Sequence, residues 1–306
     1  MSQFMSYRGI TIEDTYAEAF TMRGTRLVIT AASRKWVGHA VDQLTGYGTS
    51  VIACDAEVGV ETWLNEKETP DGRTGASVLL FGFGKDGLQK AVLKRVGQCI
   101  LTCATTACFN GVTTGEAGKD IEIGKQLRYF GDGFQISKKI DGRRLWRIPV
   151  MDGEFLCDAM AGTFSGIGGG NLMLAGKDPQ QCLEACEAAV DAIQECPGVM
   201  TPFPGGIVRS GSKVGSRYPT LKASTNDAFC PTLKTMVKSQ LPADANCCYE
   251  IVIDGVDYAS IQQAMKAGLH AAIDHGGIQF VSAGNYGGKL GPHHFRLVDL
   301  LDETPN

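Results

Sequence analysis

No stretch of this 306-residue chain approaches the apolar run of about 18 residues that a membrane-spanning helix takes, and no Lys/Arg-rich tract occurs. The first absence leaves no candidate transmembrane segment. The second, with a net charge of −4, argues against a general nucleic-acid binder. The first residues are not a charged stretch followed by an apolar one, so no signal peptide is expected. There is no C-x-x-C, no G-x-x-x-x-G-K-[ST] phosphate loop, no G-x-S-x-G elbow and no Ser-His-Asp order, which removes the commonest zinc, nucleotide and hydrolase signatures.

What remains is the composition of an ordinary soluble globular protein, 43% hydrophobic and 20% charged, long enough for one large domain or two of usual size. Eleven cysteines is a high, odd count. In a secreted chain they would form a disulfide framework; without a leader, reduced thiols in a cytoplasm are the expectation. Cys182 and Cys186 stand one helical turn apart beside Leu183 and Val190, the spacing of a buried stripe rather than of metal ligands.

The chain reads as four β-α-β units. Strand 27–32 precedes a helix capped by Ser33, carrying Trp36, Val37, Ala40, Val41 and Leu44, and strand 50–54 follows. Strand 76–81 leads to a helix starting near Asp86, whose pairing with Gln89 has capping-box spacing, then to strand 99–104. In the second half, strand 171–175 meets Asp178-Pro179, a cap with proline at the first helical position, and strand 199–203 follows. Strand 247–253, a helix from Asp257 and strand 278–283 complete the fourth unit. Two units per half is the split arrangement of ferredoxin-like lobes, so the expected fold is two α/β sandwich lobes (α+β) with mainly antiparallel sheets. They divide at 1–150 and 151–306, and arginines and aromatics over 129–146 suggest strands that pack on a neighbour or another subunit.

Chemistry concentrates in the second half. Gly211-Ser212-Lys213-Val214-Gly215 and Gly287-Gly288-Lys289-Leu290-Gly291 share G-x-K-x-G, in which glycine permits close backbone approach and lysine adds a charged donor. Such a turn suits an anionic group or a developing oxyanion. Nearby stand Pro202-Phe203-Pro204-Gly205-Gly206 and Ser224-Thr225-Asn226-Asp227, both irregular. Gly82-Phe83-Gly84-Lys85-Asp86-Gly87 matches G-x-G-x-x-G, but no acid ends the following strand and a capped helix start alone accounts for the glycines. Gly166-Ile167-Gly168-Gly169-Gly170-Asn171 is either a hinge or a contact for a flat ligand. Glu250 lies inside the apolar strand Cys248-Tyr249-Glu250-Ile251-Val252-Ile253. It either faces solvent or is buried; if buried, its pKa rises toward the range useful for proton transfer to an amine. His293-His294 have surface or packing roles by default.

Several long blocks carry a family resemblance. Ile12-Glu13-Asp14-Thr15-Tyr16-Ala17-Glu18-Ala19-Phe20, Gly46-Tyr47-Gly48-Thr49-Ser50-Val51-Ile52, Pro202-Phe203-Pro204-Gly205-Gly206-Ile207-Val208, Ala223-Ser224-Thr225-Asn226-Asp227-Ala228 and Ser282-Ala283-Gly284-Asn285-Tyr286-Gly287-Gly288-Lys289-Leu290-Gly291 closely resemble formylmethanofuran:tetrahydromethanopterin formyltransferases. The resemblance implies two-lobed subunits forming dimers and a tetramer, and reversible formyl transfer from the amine of methanofuran to a ring nitrogen of tetrahydromethanopterin. It implies no metal and no bound cofactor, both coenzymes acting as co-substrates. It also implies a methanogen or a methylotrophic bacterium, where a similar subunit belongs to a formyltransferase/hydrolase complex; a non-catalytic assembly subunit of such a complex is the alternative. On the matching positions, Glu250 is expected to move protons, with Lys289, Asn285 and the Gly287-Gly288 backbone holding the formyl oxygen. Lys213, Ser212 and Arg209 are candidates for acidic coenzyme tails, and Asp227 and Asn226 for the pterin's amino-pyrimidine edge. The turn Phe203, Gly205, Gly206, with Ser224, completes the candidate substrate contacts.

Overall fold

In a computed structural model that describes residues 4–113, 119–140, 142–289 and 291–301, the helix starts follow the sequence closely in the second half. Asp178 accepts from the N–H groups of Gln180 and Gln181 (2.8 and 3.0 Å) and opens the helix Pro179–Gln194. Asp257 accepts from Ser260 N–H (2.8 Å) and opens Tyr258–His275. Each helix buries one stripe: Cys182, Cys186, Ala189 and Ile193 on the first, Ile261, Met265, Gly268 and Ala272 on the second. Each fully buried aliphatic side chain contributes roughly 1.5–3 kcal/mol.

Contacts gather the chain into two compact units. One comprises residues 1–21, 50–53 and 167–306; the other comprises 22–49 and 54–166. These differ from halves divided at 150: residues 1–21 and 50–53 go with 167–306, and 151–166 stay with the other unit. The strand Ile10–Glu13 pairs in parallel with Phe280–Ser282, which fixes the N-terminal residues to the sheet of the second half.

In the unit containing residues 167–306, strand Phe164–Gly176 pairs antiparallel with both Phe280–Ser282 and Cys247–Gly255, and the latter pairs with Val199–Met200. Numbered within this β-α-β-β-α-β unit, the order is 4-1-3-2, the split ferredoxin-like topology. Alternation along each strand decides what lies beneath the helices. Leu172, Leu174, Ile251 and Ile253 join the helix-covered core, whereas Met173, Cys248 and Glu250 point to the opposite face. That second face is covered by chain between the strands Val199–Met200 and Cys247–Gly255, through Phe229, Leu241 and Ala245.

The other unit repeats the order, with Ala107–Asn110, Tyr16–Thr30, Gly75–Gly82 and Glu57–Leu64 side by side and helices Arg34–Thr45 and Lys85–Arg95. A meander of Ile136–Ile140, Arg143–Val150 and Gly153–Asp158 extends its sheet beyond Ala107–Asn110. Two strands expected here are displaced. Residues 50–54 are turn and irregular chain, and the strand comes later, at Glu57–Leu64. Residues 99–104 are not a strand either: the helix continues as a π-turn at Val96–Ile100, with Leu101 N–H donating to Val96 O. Leu88, Val92, Val96 and Ile100 keep a four-residue spacing, which is helical periodicity. The Asp86/Gln89 capping box is also absent: Gly84 is the cap, and Gln89 accepts from Glu122 N–H instead. No helix among the described residues is long and apolar enough to cross a membrane.

Candidate active site

Glu250 is placed by two neighbours. Its N–H and C=O exchange hydrogen bonds with Val208 (2.9 and 2.7 Å), and its register partner on the other side is Met173. Since Ile251 faces the helices, Glu250 faces away from them, under the chain that covers the opposite sheet face. This decides between the two readings of an acid in an apolar strand. The side chain is half-buried and lines a cavity of about 450 Å³, and desolvation raises its pKa from the ordinary 4.5 to about 7.

Of the residues named from sequence, Glu250, Ser212, Lys213, Asn226 and Asn285 line this cavity. Arg209 lines a recess of about 30 Å³ that shares Glu250, Met173 and Asn226 with it. Lys213 is engaged by Asp227 at 2.7 Å, and that hydrogen bond holds the Asp227 carboxyl below its usual range. Asp227 is therefore occupied by lysine and does not line the cavity, contrary to its expected place at the pterin edge.

The second G-x-K-x-G turn works differently from the expectation. The N–H groups of Tyr286, Gly288 and Gly291 donate to the carboxylate of Glu18 (2.7, 2.9 and 2.8 Å), which is 1% exposed. Gly287 N–H donates to Asn285 Oδ1. The turn is an anion-binding nest already filled by the protein's own acid. Neither glycine N–H is left for a formyl oxygen, and Lys289 is exposed and outside the cavity lining. Gly288 has φ +70°, and a Cβ on Gly291 would lie 2.0 Å from Ala19 O, so the winding needs glycine. Leu290 lies outside the described residues.

Three other expected contacts are structural. Gly206 is packed on Val190 of the helix Pro179–Gln194, so the turn Phe203-Pro204-Gly205-Gly206 supports the lead-in to Val208 and does not line the cavity. The Ser224 hydroxyl donates to Gly215 O within the first lysine turn. The glycine run ahead of Asn171 carries a bulge between Ile167 and Gly170, where added carbon would meet Ile261; it is tight packing in a strand. His293 shares a hydrogen bond with the Thr21 hydroxyl (3.0 Å), and His294 stacks on Tyr16.

The site also holds residues that motif spacing passed over. Glu13 is 8% exposed and accepts from the Ser282 hydroxyl (2.7 Å), and both line the cavity. Tyr286 bonds through its hydroxyl to the Ser212 side chain, and burial raises its pKa, as do the nearby charges of Glu250 and Glu18. Asn285 donates to Thr15 Oγ1 at 2.6 Å. No local signal marks Glu13: in the alternating strand Ile10-Thr11-Ile12-Glu13 it takes the face of Thr11, opposite to Ile10 and Ile12, which join the helix-covered core.

With this geometry in place, comparison with known proteins gives one answer. Residues 5–150 match the family model described as formylmethanofuran-tetrahydromethanopterin formyltransferase, and residues 153–300 match the model of that family's proximal lobe. The chain belongs to this family. It is 54% identical over 300 residues to the formylmethanofuran–tetrahydromethanopterin formyltransferase of Methylococcus capsulatus, covering 97% of this chain and all of the relative. The solved formyltransferase of Methanosarcina barkeri superposes with a TM-score of 0.91 at 46% identity, over 97% of this chain and all of that one. A subunit of the formyltransferase/hydrolase complex of Methylorubrum extorquens, solved with methylofuran, gives a TM-score of 0.93 at 49% identity, over 99% and 100%. The family matches thus run through both lobes, from residue 5 to residue 300.

Proposed function

We propose that this chain is a formyltransferase that moves a formyl group reversibly between formylmethanofuran and tetrahydromethanopterin. The observation that carries it is Glu250: a carboxyl titrating at about 7, in a cavity, on a strand of the family's fold. The attacking ring nitrogen adds to the formyl carbon, forming a C–N bond and a tetrahedral intermediate with an oxyanion. Collapse breaks the C–N bond to methanofuran's amine. The attacking nitrogen loses one proton and the leaving amine gains one, so the balance closes through a group that both accepts and donates. A carboxyl poised near the working pH does both. The Tyr286 hydroxyl, kept protonated by its raised pKa, and the Asn285 amide are the donors we assign to the oxyanion. Ser212 fixes Tyr286, Arg209 supplies positive charge toward acidic coenzyme tails, and Lys213, paired with Asp227, offers its remaining N–H donors to the same groups.

Both coenzymes act as substrates, and no resident cofactor enters any step. Assembly into dimers or tetramers, and with partner subunits as in the Methylorubrum extorquens complex, belongs to the same proposal, and the exposed Phe130 and Phe134 are of the kind subunit contacts cover. So do a cytoplasmic location, on the thiol-rich composition, and a lobe boundary at 150/151, supported by the two family matches. A purely organising subunit would have no use for a carboxyl tuned to neutrality in a cavity. The test is formation of formyl-tetrahydromethanopterin by the purified chain, followed optically. Glu250→Gln is expected to lower turnover by roughly 100-fold or more with the fold intact; near-normal turnover would remove the assignment.

A further inference from the structure

Glu13 is a buried carboxylate whose environment is incomplete. Ser282 donates to Oε2 at 2.7 Å, and among the described residues no lysine, arginine or histidine pairs with it and no donor reaches Oε1. Taking a carboxylate out of water without compensating donors is costly, so proteins pair such groups or leave them for a ligand. At 8% exposure, the side chain opens only to the cavity that also holds Glu250.

The sheet sets the distance between these two acids. Val281 pairs with Ile12, which brings Ser282 beside Glu13; Ser282 pairs with Met173, and Met173 with Glu250. Glu13 and Glu250 therefore stand three strand spacings apart, about 14 Å between backbones. They look into one cavity from opposite ends, and Glu13 is too far away to serve the nitrogen that Glu250 serves. It must meet another part of a substrate. Acidic tails are repelled by a carboxylate. The pterin's aminopyrimidinone, by contrast, presents a ring N–H next to an exocyclic amino group, two adjacent donors that match the two oxygens of one carboxylate. Asp227, the other acid considered for that edge, is held by Lys213.

We propose that Glu13 reads the aminopyrimidinone edge of tetrahydromethanopterin, with Ser282 fixing the rotamer, and so sets the rigid pterin with its reacting nitrogen toward Glu250. This rests on the formyl-transfer reading. It makes Glu13 a binding and specificity residue rather than a proton carrier.

Glu13→Gln keeps the size of the side chain but turns a donor toward the pterin's donors. Its KM for tetrahydromethanopterin is expected to rise roughly 10- to 100-fold. The KM for formylmethanofuran should stay within about twofold, and the inflection near pH 7 should persist. A pterin analogue lacking the exocyclic amino group should bind the wild type more weakly than the natural coenzyme and bind Glu13→Gln no differently from it. An unchanged KM for tetrahydromethanopterin, or an equal rise for both substrates, overturns the assignment. Ser282→Ala, which removes only the hydroxyl, should move the same KM in the same direction and supplies the comparison if Glu13→Gln fails to fold. Should the wild type transfer no formyl group, the functional reading falls by itself. Calorimetric binding of tetrahydromethanopterin to wild type and variant then decides Glu13, equal affinities overturning it.

Discussion

Glu18 shows how one side chain can organise a loop that lines a cavity without lining the cavity itself. Its two oxygens take three backbone N–H groups from the Tyr286–Gly291 turn, and its own N–H donates to Gly284 O at 3.0 Å. The turn delivers Tyr286 and Asn285 to the cavity. Glutamine in this place has one acceptor oxygen, so at least one buried N–H loses its partner, at a cost of about 1–3 kcal/mol for each group left unpaired. Glu18→Gln is therefore expected to unfold at lower temperature, to exchange the amides of 286–291 faster than wild type, and to lose activity through loosened placement of Tyr286. Thermal unfolding together with amide exchange checks this, and unchanged exchange in that turn would contradict it. The sequence motif marked this turn as suited to an anionic ligand group or an oxyanion, whereas the group its N–H donors hold is the protein's own carboxylate. What spacing along the chain does not reveal is that the anion comes from residue 18, some 270 positions away.

At the scale of elements, local chemistry made the second-half unit legible. Asp178-Pro179 and Asp257 carry their caps in adjacent residues, and the buried stripes recur at helical spacing, so starts and faces follow from short-range rules. The Asp178 cap satisfies two backbone donors, and Asp178→Ala should cost about 1 kcal/mol. That change lowers the unfolding temperature by a few degrees while leaving turnover at moderate temperature unaltered, because neither the cap nor the start of its helix lines the cavity. A fall in turnover at full folding would show coupling from this helix to the site. The displaced elements in the other unit have a common cause. Residues 50–54 and 99–104 are apolar and short, which suits a strand by composition, but the first is turn and the second follows a helix that runs on through Val96 and Ile100. Short apolar runs do not carry their own period.

Across the whole molecule, the fold class came from counting β-α-β units, while the cavity did not, because it is assembled by sheet register. Glu13, Ser282, Met173 and Glu250 form one row only because strands from positions 10, 280, 170 and 250 lie side by side, and only Glu250 stood out in its local sequence. The same burial that raises the Glu250 pKa has a global consequence. In the folded chain it titrates near 7, and in the unfolded chain near 4.5. Between these values the folded state holds the extra proton, so stability from this group is fully present below about 4.5 and is lost as pH rises through about 7. The loss is on the order of 3–4 kcal/mol, at about 1.4 kcal/mol for each pH step between the two values. Glu250→Gln, neutral throughout, lacks this dependence. Chemical denaturation of both proteins at pH 5 and pH 8 isolates it: the wild type should lose more stability over that interval than the variant, by an amount of this order. Parallel pH dependence in the two proteins would mean that Glu250 ionises as readily in the folded chain as in water, and the proton-transfer role would lose its physical basis.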